Sequence, residues 1–146
     1  MTKVTLDPRL EADTYLLGYF DSTAVLMLRN AHYPWLVLVP DTDEIEFHRL
    51  PANQQAELMA QSTRLANFIE DWRPVDKMNI AAIGNVVSQM HLHVVGRHKS
   101  DPCWPGVVWG AQPFKAYEAA EVVEVQRHLA LALGDDFELR IVAAEQ

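Results

Sequence analysis

The residues best equipped for chemistry lie in one heptapeptide, Gln89-Met90-His91-Leu92-His93-Val94-Val95. Polar and apolar side chains alternate through it, the period of a strand buried on one face. On such a strand Gln89, His91 and His93 share one side, while Met90, Leu92 and Val94 turn toward a core. Each imidazole carries a donor and an acceptor that need partners, so two on the same face point to a site. Three uses are open to the pair: binding a metal, supplying a nucleophile, or sitting hydrogen-bonded in a core. Zinc requires a third and usually a fourth ligand. His98 and Cys103 are available, but no recognised spacing ties them to His91 and His93, and no metal is expected. Nucleophilic catalysis fits better. A neutral imidazole nitrogen attacks phosphorus and splits one displacement into two easier ones, and a hydrogen bond to the other ring nitrogen fixes which nitrogen keeps its lone pair. Gly84-Asn85, just upstream, adds a turn where glycine admits a phosphate and amides or Asn85 donate to it. Taken alone, Gly-Asn is an ordinary turn.

The elements that must position these residues follow from pattern and punctuation. Asp7 caps a short helix opened by Pro8 and running to Ala12. Tyr15–Phe20 and Ala24–Arg29 are apolar runs around Asp21-Ser22-Thr23, a hairpin signal, and Trp35–Val39 is a third strand stopped by Pro40. From Ala52 to about Trp72, Leu58, Leu65, Ile69 and Trp72 recur at helical spacing, widened by Met59 and Phe68; Pro74 closes the helix. Met78–Ile83 reads as a strand, and the alternating heptapeptide as the next. Gly96–Phe114 is a loop rich in proline and glycine. Ala116–Leu133 is a second long helix ended by Gly134. The tail Phe137–Val142 reads equally as an edge strand or a docking segment. Strands, a long helix, more strands and a C-terminal helix make an α+β fold with a mainly antiparallel sheet of about five strands. Residues 1–146 are expected to form one domain. The alternation and glycine-rich first turn of a dinucleotide fold are missing.

Composition narrows the function classes. The 146 residues are 49% hydrophobic, enough for a core, and a net charge of -8 argues against a nucleic-acid binder. A local basic patch still suits a small anionic ligand. One cysteine, Cys103, allows no intrachain disulfide, and with no signal-like start or apolar run of ~18 residues the expectation is a cytoplasmic, membrane-free protein.

The heptapeptide resembles the motif of the histidine triad (HIT) family, in which three histidines alternate with hydrophobic residues. Met78-Asn79-Ile80-Ala81-Ala82-Ile83-Gly84-Asn85 upstream, Gly96-Arg97 downstream and the Trp-Pro loop Asp101-Pro102-Cys103-Trp104-Pro105-Gly106 support the likeness, as does Tyr33-Pro34-Trp35-Leu36-Val37-Leu38-Val39-Pro40. The resemblance covers roughly residues 10 to 115. It implies a HIT-like fold and a homodimer that hydrolyses or transfers nucleoside monophosphate groups, from dinucleoside polyphosphates, phosphoramidates or sugar nucleotides. It implies His91 as the nucleophile at the α-phosphate and His93 as the residue holding the site in shape. Asn79, Gly84 and Asn85 would approach phosphates and ribose, and Asn30 the ribose. Apart from the resemblance, Trp104 and Trp109 in the proline-rich loop suit flanking a base or packing at a dimer interface. No cofactor is implied.

The departure is Gln89, which occupies the first triad position. An amide hydrogen-bonds but exchanges no proton near neutral pH, and proton transfer by a placed group is typically worth ~10²–10⁴-fold. The expectation is a preference for leaving groups that depart as phosphates, or slower turnover, with attack by His91 retained. The alternatives are a non-catalytic nucleotide-binding module of the same fold and, third, a histidine-based metal-binding protein.

Overall fold

The computed structural model describes residues 4–140. Within them the chain forms α1 (Pro8–Asp13), β1 (Thr14–Phe20), β2 (Thr23–Leu28), β3 (Trp35–Val39), α2 (Ala52–Trp72), β4 (Lys77–Ala81), β5 (Leu92–Arg97), α3 (Ala119–Leu133) and β6 (Phe137–Leu139). The strands make one sheet in the order β4-β5-β3-β2-β1-β6, and every pairing in it is antiparallel. The fold is α+β, with six strands rather than about five. The additional one is the tail segment, which pairs with β1 as an edge strand through Phe137, Glu138 and Leu139; Val142 lies outside the described residues.

Alternation along the strands sorts the core into two layers. Val25, Met27, Leu36, Leu38, Leu92 and Val94 face α2 and α3, meeting Leu58, Leu65, Phe68 and Ile69 of the first and Val122, Val125, Leu129 and Leu133 of the second. Leu65, Ile69 and Leu129 have no exposed surface, and each such burial contributes on the order of 1.5–3 kcal/mol. Leu26, Trp35, Val37, Val39 and Val95 face the other way, under Val4, Leu10 and Val108. Helices thus seal one face of the sheet, while loops and the short α1 cover the other. That second face carries the chemistry.

Local rules set the boundaries. The Asp7 carboxylate accepts from the Arg9 amide at 2.8 Å and caps α1. Glu118 and Glu121 form a reciprocal capping box at α3, and Gly134 ends that helix with φ of 64°. β1 changes phase at a bulge between Leu16 and Gly18. A Cβ at Gly18 would run into the Phe137 ring and the Glu138 carbonyl of β6, so glycine there is what lets the edge strand dock. No helix among the described residues is long and apolar enough to cross a membrane.

Candidate active site

β5 begins at Leu92, later than the alternation suggests, and Gln89–His91 form an irregular approach to it. The alternation nevertheless holds where it matters: Leu92 and Val94 enter the helix-side core, and His93 projects from the other face. β3 runs alongside, with Val37 opposite His93 and Trp35 opposite Val95. Trp35 is therefore the diagonal neighbour of His93, within reach of a long side chain. Its indole N–H donates to His93 Nδ1 at 2.9 Å.

The two imidazoles sit with ring centroids 4.9 Å apart, edge to face. Each is only 7% exposed. His91 Nδ1 lies 2.7 Å from the backbone carbonyl oxygen of Gln89. A carbonyl only accepts, so Nδ1 carries the proton and Nε2 keeps a free lone pair. His93 has the opposite tautomer, because its Nδ1 accepts from an indole that only donates. The His93 ring is walled by Trp35 at 5.7 Å, Trp109 at 5.3 Å and His91. Burial, then repulsion from His91, pushes its pKa down from 6.5 to about 4.

Both histidines open onto a cleft of about 740 Å³, in the range of small-molecule sites. Its walls include Leu10, Leu28, Trp35, Val108 and Trp109, with Asn30 and the segment Ile83–Val87 at the sides. Among the described residues, Arg9 and Arg29 are the only cations lining it, against one carboxylate, Asp13, so the cleft is locally basic in an acidic chain. Gly84 turns the Ile83–Val87 segment with φ of 68°, a conformation glycine adopts without penalty. A second cavity of about 680 Å³ lies beyond α1, and no imidazole lines it among the described residues.

The structure thus gathers His91, His93, Asn30, Gly84 and Asn85 at one cleft and places three other sequence candidates elsewhere. The Gln89 amide turns to the N-terminal segment, accepting from the Asp7 amide at 2.7 Å and donating to the Thr5 carbonyl at 2.9 Å. Only its backbone carbonyl serves the site. Asn79 and Trp104 attend Arg97, which is 2% exposed. Arg97 makes a bidentate pair with Asp101 at 2.8 and 3.1 Å and donates to Asn79 Oδ1 at 3.0 Å. Trp104 lies over the guanidinium at 5.6 Å, and Cys103 Sγ accepts from both Arg97 and the Tyr33 hydroxyl. Burial works against the Asp101 charge, but the guanidinium and the His98 and Cys103 amides outweigh it and hold the carboxyl below its usual range. The Trp-Pro loop is therefore anchored by a buried ion pair outside the cleft. Asn30, although it lines the cleft, spends its amide on the Pro113 carbonyl and its oxygen on the amides of His32 and Lys115. No cluster of three or more metal-ligating side chains occurs among the described residues.

Sequence reasoning missed Trp35 as a site residue, since within an apolar run it reads as core. The distinguishing signal was an indole N–H that a buried tryptophan must satisfy. Arg9 and Arg29 carried no signal, because solvated arginines are common.

Fold and site together define an α+β domain presenting a tautomer-fixed pair of imidazoles in a cleft on the loop-covered face of an antiparallel sheet. The family model described as the HIT domain matches residues 9–100, and this chain belongs to the HIT family. Its structure is similar to that of a histidine triad protein from Bradyrhizobium japonicum, with a TM-score of 0.85 and 37% identity over 90% of this chain and 98% of that one. A histidine triad protein from Sinorhizobium meliloti gives 0.84 and 33% over 90% and 98% of the two chains. One from Marinobacter aquaeolei gives 0.83 and 39% over 89% and 96%. No curated protein matches the sequence.

Proposed function

We propose that this protein is a nucleotide hydrolase or nucleotidyl transferase that acts at the α-phosphate of a dinucleoside polyphosphate or nucleoside phosphoramidate. The observation that carries this reading is the 2.7 Å contact between His91 Nδ1 and the Gln89 carbonyl, which leaves Nε2 bare toward the cleft. The bare nitrogen attacks phosphorus. A P–Nε2 bond forms, the bond from phosphorus to the leaving group breaks, and the electron pair departs with that group. The Gln89 carbonyl stabilises the positive charge that His91 acquires. Water then attacks phosphorus and loses its proton to solvent, the P–N bond breaks, and the lone pair returns to Nε2; in a transferase, another acceptor replaces water. His93 Nε2–H is a donor for phosphoryl oxygens, and Arg9 and Arg29 supply positive potential. In this reading the Ile83–Val87 turn, with its Asn85 amide, meets the phosphates, and the apolar wall of Leu10, Leu28 and Val108 takes the nucleobase.

The test is incubation with a diadenosine polyphosphate and with an adenosine phosphoramidate, trapping an acid-labile adduct by rapid quench and mass spectrometry. An adduct mapped to His91, with turnover abolished in His91→Ala, is the expected result; turnover that survives His91→Ala refutes the mechanism. A second reading, a nucleotide-binding module without turnover, draws on the Gln89 amide being committed to residues 5–7. Nucleotide affinity without an adduct would favour it.

We further place the protein in the cytoplasm as a homodimer. Among the described residues strand β4 is paired on one side only, with β5, and Ile80 upon it is 44% exposed. An open edge bearing an apolar side chain is a template for a second strand. Light scattering should report a dimer, and Ile80→Lys should shift it toward monomer.

A further inference from the structure

We propose that Trp35 is a positioning residue: its indole N–H locks His93 as a fixed, neutral Nε2–H donor, which confines the site to leaving groups that depart without a proton. The inference rests on the phosphoryl-transfer reading above and narrows its substrate class.

The lock follows from donor arithmetic. An indole nitrogen donates and never accepts. At 2.9 Å from Nδ1, it occupies the lone pair through which His93 would otherwise take up a proton. The remaining proton must then sit on Nε2. To release it, the ring would have to become an imidazolate, beyond reach near neutral pH. Burial and the adjacent His91 both work against its cation. The rings against it are those of Trp35, Trp109 and His91, and Asp13, the one carboxylate lining the cleft among the described residues, is solvent-exposed beside Arg9 at 3.9 Å. The depressed pKa, about 4, agrees with that environment. His93 therefore neither accepts nor gives a proton across the neutral range.

Among the described residues, no other group lining the cleft replaces it as an acid. His91 holds its proton against the Gln89 carbonyl, and the Gln89 amide is turned to Thr5 and Asp7. Arg9 and Arg29 hydrogen-bond but do not deprotonate, and Asp13 is exposed. A leaving group must therefore carry off its own negative charge. Phosphate, pyrophosphate and nucleoside polyphosphates do so; an amine or alkoxide does not. The substrate class this selects is the phosphoanhydride of a nucleotide rather than its phosphoramidate.

Two measurements on the full chain test this. The first is two-bond ¹H–¹⁵N NMR of histidine-labelled protein from pH 5 to 8, comparing wild type with Trp35→Phe, which keeps an aromatic ring and removes the N–H. Wild-type His93 should show a single Nε2–H tautomer with no titration, and the Phe variant a mixture that titrates. The second is turnover of a diadenosine polyphosphate against an adenosine phosphoramidate. The wild type should prefer the anhydride. Trp35→Phe should lower kcat on it about tenfold with KM within about twofold, and should shrink the preference, with Trp35→His, whose ring can also donate N–H, restoring most of kcat; a loss of this kind sits below that of a whole oxyanion donor. A wild-type His93 that titrates near 6.5, or an unchanged tautomer and preference in the Phe variant, overturns the inference even if His91 turns substrate over. A locked ring in a protein without any turnover sinks the phosphoryl-transfer reading and the substrate selection with it, while supporting the lock.

Discussion

Burying His93 as a neutral ring makes the stability of this protein fall in mild acid, by an amount the structure sets. The folded pKa is about 4 and the unfolded value 6.5. The unfolded chain therefore binds the proton more readily, and stability drops wherever it does so. The contribution is complete above pH 6.5 and declines as pH falls through the window from 6.5 to about 4. Linkage gives a loss of about 2 kcal/mol by pH 5 and about 3 kcal/mol by pH 4 from this residue. With the ring 7% exposed, solvent screening discounts little of it. Other groups also contribute to acid unfolding, so the informative quantity is a difference. Urea unfolding of wild type and His93→Gln at pH 7.5, 6, 5 and 4 isolates it, because glutamine fills a comparable volume without titrating. The wild-type curve should descend more steeply, the two converging by about 2 kcal/mol between pH 7.5 and 5. Parallel curves would refute a buried, neutral His93.

Three further outcomes follow from the same structure. Asp101→Asn leaves the Arg97 guanidinium buried without its counter-charge and should cost about 3–5 kcal/mol in urea unfolding. Gly84→Ala forces a side chain into a left-handed backbone and should cost about 1–2 kcal/mol, with weakened nucleotide binding by calorimetry as the Ile83–Val87 turn relaxes. Gln89→Ala removes two hydrogen bonds to the N-terminal segment, should cost roughly 1–3 kcal/mol, and should speed hydrogen exchange at the Asp7 amide without removing the carbonyl that serves His91.

Much of the scaffold was legible because its signals are local. The Asp7-Pro8 start, the bounds of Trp35–Val39 and the stretch Ala52–Trp72 each follow from capping chemistry, a stopping proline or helical periodicity, and the structure has them at the same residues. The strand phase of His93 was legible for the same reason: period two admits one assignment once Leu92 and Val94 are apolar. The tail was not, since three residues at Phe137–Leu139 become a strand only by pairing with β1 at a bulge.

The site divides along the same line. Alternation along the heptapeptide already put His91 and His93 on one side of the chain entering β5, with a glycine turn nearby. The partner of the His93 ring and the surroundings of both imidazoles came from packing. The ring tautomers are fixed by an indole arriving from β3 and a carbonyl from the chain before β5. Asn79 and Trp104 were drawn to the buried charge of Arg97 instead of to the cleft. The carbonyl that faces His91 is local, two residues back, whereas Trp35 reaches His93 across 58 positions, and desolvation likewise depends on groups distant in the chain meeting in three dimensions.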